Sequence, residues 1–233
     1  MVRIKQSLVK EVAKSAITFY EQRLTPGLDS GDTSLRDPDT GLVYILPEPS
    51  ERQPIRGWNT ITAADVAVID LDGKIVGPPD NKPTIEAPMH LAIYRARSDI
   101  NAIVHSHGPW SQIFATVRQN IPCVTIDAYH FLGGEVECAE FGRVASETLA
   151  KNIVKALGDT KKAAIMAGHG AACCGADYYE AFLTAHVLEI TAKQAIFAKL
   201  IGTIIPTTLG DLLPEDMVKN MDPEMLKQMG IKF

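Results

Sequence analysis

Residues 83–108 read PTIEAPMHLAIYRARSDINAIVHSHG, a helix running into a strand. Residues 86–97 have helical character, and Pro88 falls in the first turn, where its missing N–H leaves no helical bond unmade. Residues 101–108 (NAIVHSHG) then read as a strand with an apolar start and a polar end. In a strand, residues i and i+2 share a face, so His105 and His107 set two imidazoles side by side at the strand's end. Two imidazoles in cis can grip one cation, and imidazole suits zinc and related divalent ions. An HxH pair alone is a weak signal; a third ligand from elsewhere strengthens it.

A candidate stands in residues 163–175, AAIMAGHGAACCG, which read as a strand, a glycine-flanked histidine and a second strand. Gly168 and Gly170 let the backbone turn sharply and clear side-chain bulk from around His169. Three protein ligands leave a coordination position open, which is the arrangement of a catalytic metal site. Read alone, His169 is as readily a turn residue capping a strand. Glu86 heads the helix that leads into the HxH strand. A carboxylate near a metal-bound carbonyl compound can remove or return a proton at the adjacent carbon. Read alone, Glu86 is a first-turn residue favoured by the helix dipole.

Outward from this centre, residues 5–23 form an amphipathic helix with Leu8, Val12, Ile17 and Phe19 on its apolar side. Turn-rich residues 25–41 precede strand-like GLVYILP, and residues 48–59 (EPSERQPIRGWN) read as a polar surface loop. DVAVIDLDGKIVG (65–77) predicts two strands around an Asp-Gly turn. GPWSQIFATVRQ (108–119) predicts a helix; IPCVTIDAYHF (121–131) and GEVECAEF (134–141) are strand-like. Residues 144–157 have helical periodicity, and 177–201 form a long helix opened by Asp177 as N-cap. His90 and His186 read as structural histidines on helices. The expectation is one domain over residues 1–233, with 206–233 a C-terminal tail of short helical pieces. The order mixes strands and helices without strict βαβ alternation, which points to an α/β sandwich.

The composition is that of an ordinary globular chain: 233 residues, 46% hydrophobic and 22% charged, enough to bury one sizeable core. A net charge of −5 offers no basic face to nucleic acid or to an anionic membrane. The N-terminal stretch has no apolar h-region with a cleavage site, and no apolar run approaches the ~18 residues of a membrane span. The four cysteines have no framework spacing, so a reduced, cytoplasmic chain is expected.

Three stretches together, SGDTSLR (30–36), residues 83–108 and residues 163–175, resemble class II aldolases of the L-fuculose-1-phosphate aldolase and L-ribulose-5-phosphate 4-epimerase group, which also includes the adducin head domain. The resemblance implies a three-layer α/β/α sandwich around a mainly antiparallel central sheet. It implies His105, His107 and His169 as ligands of a divalent metal, zinc first, with manganese or cobalt as the other candidates. It implies Glu86 as the acid/base, a position where the epimerase branch carries Asp; the adducin-like branch lacks the metal ligands altogether. It further implies a homotetramer with active sites at subunit interfaces, acting on a small-molecule substrate.

The chain departs from that pattern near the expected substrate. The family's GN-x-S loop, which helps hold a substrate phosphate, corresponds here to Gly31-Asp32-Thr33-Ser34, and its Ser-Ser pair before the Glu corresponds to Thr84 and Ile85. A carboxylate at Asp32 would repel a phosphate. Arg56, in the loop at 48–59, could pair with a substrate carboxylate in bidentate fashion. Gly31, Asp32, Thr84, Ile85 and Arg56 are therefore the expected substrate contacts. A second proton donor falls in IPCVTIDAYHF, with Tyr129 ahead of Asp127 and His130.

The expected activity is metal-dependent carbon–carbon lysis, an aldol cleavage of a hydroxy-carbonyl, sugar-like substrate through a metal-stabilised enediolate. Decarboxylation of a keto or aromatic hydroxy acid is the nearest alternative. Sugar-phosphate 4-epimerisation and a non-catalytic, adducin-like assembly role stand further back.

Overall fold

The stretch from Ala102 to Ser106 (β4) forms the middle strand of the molecule, and its alternation decides the layering. The structure is a computed structural model that describes residues 3–26, 30–48 and 57–228. Ala102 and Val104 join one apolar cluster and Ile103 the other, so each face of the strand is buried under helices.

The sheet contains, in chain order, β1 (Asp32–Arg36), β2 (Val43–Ile45), β3 (Ala67–Ile69), β4, β5 (Cys138–Ala139), β6 (Ala163–Met166) and β7 (Ala171–Gly175). Their spatial order is β3-β2-β1-β4-β7-β6-β5. Five of the six pairings are antiparallel; only β5 runs parallel to β6. The sheet is thus mixed, with antiparallel pairing dominant as expected.

One face is covered by α2 (Ala87–Ala96) and α5 (Glu147–Leu157), which contribute Met89, Ile93, Leu149 and Ile153 to the cluster around Ile103. The other face is covered by α1 (Gln6–Glu21), α3 (Ser111–Val117), α4 (Ile126–Leu132) and α6 (Tyr178–Ile201). Val12, Ala16 and Phe19 of α1 are fully buried there, at the spacing that places residues on one helical face. The result is the expected three-layer α/β/α sandwich. Asp177 caps α6 by accepting from the Glu180 N–H, as its position in the sequence suggested. Among the described residues, no helix is long and apolar enough to cross a membrane.

Four local expectations give way, the first being the turn-rich reading of 25–41, which instead holds the buried strand β1 at Asp32–Arg36. The strand-like reading of 121–131 is replaced by α4. The Thr125 hydroxyl accepts from the Ala128 N–H, Asp127 sits in the first turn, and Gly133 at φ 83° ends the helix. What is left of strand pairing is one bridge, Ile121 to Val136. The second strand after the Asp72-Gly73 turn likewise shrinks to a bridge between Ile69 and Ile75. In the loop at 48–59, Trp58 is buried, and its indole N–H donates to the Ser30 carbonyl at 3.3 Å. Arg56 lies outside the described residues.

The C-terminal stretch contains a single tight turn at Leu209–Leu212, α7 (Glu215–Asn220) and α8 (Pro223–Gln228). Its approach is pinned by the Thr207 N–H, which donates to the Cys123 carbonyl at 2.8 Å.

Candidate active site

The ladder between β4 and β7 sets Ser106 opposite Ala171 and His105 opposite Ala172. The turn joining β6 to β7 therefore lies beside the end of β4. That turn is closed by the Met166 N–H donating to Gly170 and the His169 N–H donating to Met166. Gly168 enters it at φ +67°, a conformation that only glycine adopts without strain. Gly170 is required for another reason: a Cβ there would lie 2.4 Å from the Ser106 carbonyl oxygen and 2.9 Å from the His107 ring.

The three histidines come together as expected. Their ring centroids are 4.8, 4.9 and 5.0 Å apart, each pair edge to face. One nitrogen from each lies within 4.8 Å of the others. His105 Nδ1 is 3.1 Å from the Ala171 carbonyl, which can only accept, so this nitrogen carries the proton. His105 Nε2 is then bare and faces His107 Nε2 at 3.2 Å. His169 Nδ1 is buried with no hydrogen-bond partner among the described residues.

Burial, reinforced by neighbouring imidazoles, pushes all three rings down to about 4, so they are neutral at pH 7. Neutral imidazoles whose ring nitrogens cluster within 4.8 Å, one of them without a hydrogen-bond partner among the described residues, are what a divalent cation would satisfy. The donor set fits such an ion.

Two residues that sequence reasoning missed brace this centre. Gln112 on α3 donates its side-chain N–H to the His169 carbonyl at 2.9 Å. Glu189 on α6 accepts from the N–H groups of Trp110 and Ser111 at 2.8 and 3.0 Å, fixing the start of α3 just after the HxH strand. No local sequence signal marks either one, because both act across elements that only the fold brings together.

Glu86 occupies the N-cap position of α2 and is 5% exposed. Neither carboxylate oxygen makes a hydrogen bond of ordinary geometry. Burial, then the charge of Asp32, raises its carboxyl to about 7, against weaker opposing pulls from His90 and the Ala145 N–H.

Asp32 is itself buried, on β1 directly opposite His105. Its Oδ2 accepts from the Thr84 hydroxyl at 2.7 Å, and its Oδ1 lies 2.8 Å from His90 Nε2. Burial would raise its carboxyl, but His90, backed by His105 and Thr84, holds it down to about 2. His90 Nδ1 continues the chain to the Ser34 hydroxyl, which contacts the Tyr94 hydroxyl; both links are 2.7 Å.

The remaining expected residues fall in several places. Gly31, at φ +74°, packs so closely under His105 that a Cβ would sit 2.5 Å from the His105 carbonyl oxygen. Thr84 is buried and Ile85 is exposed. Tyr129 sits on α4, its ring against Gly134, and no hydrogen bond or ring contact joins it to the imidazoles. Asp127 and His130 share that helix, with the His130 ring against Phe131.

Fold and site together define a three-layer α/β/α protein with a three-histidine candidate centre for a divalent cation and a buried acid nearby in the fold. Residues 10–196 match the model of the Class II Aldolase and Adducin N-terminal domain family, and the chain belongs to that family. It is 29% identical over 217 residues to a 5-deoxy-D-ribulose 1-phosphate aldolase of Bacillus thuringiensis serovar kurstaki, covering 92% of this chain and 95% of the relative. It is 31% identical over 196 residues to an L-fuculose phosphate aldolase of Methanocaldococcus jannaschii, covering 82% and 97% respectively. Among solved structures, an L-fuculose 1-phosphate aldolase superposes with a TM-score of 0.80 at 27% identity, over 96% of this chain and 98% of that one. The chain is an enzyme of the class II aldolase type, a lyase.

Proposed function

We propose that this lyase cleaves a hydroxy-carbonyl, sugar-like compound by retro-aldol chemistry, with His105, His107 and His169 holding a divalent cation and Glu86 as the acid/base. The observation that carries the reading is Glu86: a buried carboxyl, without a hydrogen bond of ordinary geometry among the described residues, with its pKa raised to about 7. A cation in the triad, zinc first and manganese or cobalt otherwise, would supply Lewis acidity at the substrate's carbonyl and adjacent hydroxyl oxygens.

Glu86 handles the proton at carbon. In cleavage its protonated form gives a proton to the carbon that has lost its bond; in condensation its carboxylate takes that proton away. A pKa near 7 keeps both forms populated at neutral pH. The hydroxyl that becomes the aldehyde oxygen must lose a proton as the carbon–carbon bond breaks. Tyr129 is our candidate to receive it as a phenolate, becoming the neutral phenol that gives the proton back in condensation. Among the described residues no hydrogen bond or ring contact joins it to the triad within one chain, so we assign the role to Tyr129 of a neighbouring copy.

A homotetramer with sites at its interfaces is the assembly we propose. Exposed apolar residues on the last turns of α6, Phe197, Leu200 and Ile201, support it, because an apolar surface of this kind favours association. All four cysteines are free, which fits a reducing, cytoplasmic setting.

The substrate panel should contain both free and phosphorylated hydroxy-ketones. The relatives described above are named as sugar-phosphate aldolases. The charge of Asp32, which argued against a phosphate, is directed at His90. The test is Glu86→Gln with aldehyde and carbon dioxide both assayed. Retained metal and lost aldehyde production are expected. Full aldehyde production by the variant, or carbon dioxide from the wild type without aldehyde, would overturn the reading.

A further inference from the structure

We propose that Asp32 is a positioning residue for Glu86: its carboxylate clamps both ends of the segment that carries Glu86 and is thereby closed to a substrate oxyanion. The inference rests on the acid/base role given to Glu86 above.

The segment runs from Thr84 through Glu86 to His90. At its start, the Thr84 hydroxyl donates to Asp32 Oδ2 at 2.7 Å and accepts from the Glu86 N–H at 3.2 Å. At its end, His90 Nε2 meets Asp32 Oδ1 at 2.8 Å, one helical turn beyond Glu86. One carboxylate thus uses an oxygen on each side of the acid/base. Among the described residues the Glu86 carboxylate makes no hydrogen bond of ordinary geometry and feels only a weak pull from the Ala145 N–H, so its placement depends largely on its backbone.

The clamp is anchored on rigid ground. Asp32 belongs to β1, paired on one side with β4 and on the other with β2. The Thr84 N–H also donates to Leu46, and Leu46 in turn donates to Thr33, tying the segment to the same strand pair. From the far side, Ser34 holds His90 Nδ1 and Tyr94 holds Ser34. Asp32 is 2% exposed, with the Thr84 hydroxyl on Oδ2 and His90 Nε2 at 2.8 Å from Oδ1, so its carboxylate is buried between these two side chains rather than open to an incoming ligand.

The test uses full-length Asp32→Ala and Asp32→Asn beside the wild type, in three measurements. Amide hydrogen exchange in Asp32→Ala should speed up by about tenfold from Glu86 to His90 while β6 stays protected. In turnover, kcat should fall about 10- to 100-fold with KM within about twofold of the wild type, since a misplaced acid/base costs rate more than binding. Asp32→Asn, which keeps the shape and one acceptor, should recover part of both effects; it also serves if the alanine variant does not fold. Unchanged exchange over the segment, or a changed KM with kcat intact, would overturn the proposal and make Asp32 a substrate contact. Absence of retro-aldol turnover in the wild type would sink the acid/base reading alone, and the exchange result would still decide whether Asp32 fixes the segment.

Discussion

Asp32 and His105 stand directly opposite each other on β1 and β4, so a carboxylate and a candidate metal ligand project from the same face of the sheet. The charge of Asp32 reaches in two directions. It opposes the lowering of all three imidazoles by burial, and it adds to the raising of Glu86. The strand pairing therefore couples the three histidines to Glu86 electrostatically.

The raised carboxyl of Glu86 has a consequence for stability. Its value moves from 4.5 to about 7 on folding, so its contribution is fully present below pH 4.5 and is lost as pH rises through 7. At pH 8 the buried carboxylate should cost about 3 kcal/mol. Glu86→Gln removes the charge and keeps the shape. In metal-stripped protein the variant should melt at a higher temperature than the wild type at pH 8, and the two curves should converge by pH 4.5. Parallel curves across that range would show that Glu86 titrates normally.

The triad was legible in the sequence because it follows from simple signals, whereas the order of elements gave only an α/β sandwich and the three layers came from the resemblance to the family. Two-residue alternation in NAIVHSH pairs His105 with His107, and the glycines around His169 mark the turn beside them. The segment at 121–131 misled because Ile121, Val124 and Ile126 suggest a strand, while the shorter signals won: Thr125 as cap, Asp127 in the first turn and Gly133 at the end. The link from Asp32 to His90 could not be read at all. It joins positions far apart in the chain, and an aspartate in a glycine-rich stretch looks like a solvent-facing turn residue until β1 is seen to run between two other strands. Gln112 and Glu189 were invisible for the same reason.

Proton abstraction should follow the ionisation of Glu86. In the condensing direction only its carboxylate can remove a proton from the hydroxy-ketone, so exchange of that proton with deuterated solvent should rise with pH and level off. A cation held by the triad would draw the raised carboxyl back down, which puts the inflection at or below about 7. Glu86→Gln should reduce the exchange about 100-fold or more and flatten its pH profile. Proton NMR of the ketone in deuterium oxide reads this without any aldehyde acceptor. An inflection unchanged by the substitution would assign the abstraction to another group.

Metal binding should depend on each imidazole separately. His107→Ala and His169→Ala remove one of three ligands and should leave the purified protein with well under one equivalent of metal, while the wild type holds close to one after incubation with zinc, cobalt or manganese. Gln112→Ala leaves all three rings but frees the carbonyl of His169, and should weaken binding about tenfold, at the low end for groups that support ligands from behind. Elemental analysis of dialysed samples separates the cases. Full occupancy in either histidine variant would remove that ring from the site.

The two glycines around His169 should respond differently to alanine, because they are required for different reasons. At Gly168 a Cβ meets nothing within 4 Å, but φ is +67°, so the cost is backbone strain of about 1–2 kcal/mol. Metal affinity should survive there. At Gly170 the Cβ would press on the Ser106 carbonyl and on the rings of His107 and His105, at 2.4, 2.9 and 3.2 Å. A backbone oxygen in a paired strand cannot step aside, so the turn must shift and carry His169 away from the other two rings. Gly170→Ala should lose about 1–3 kcal/mol of stability and, unlike Gly168→Ala, at least about tenfold in metal affinity. Equal affinities for the two variants, measured by competition with a coloured chelator, would mean that the close approach of Gly170 to β4 does not set the geometry of the triad.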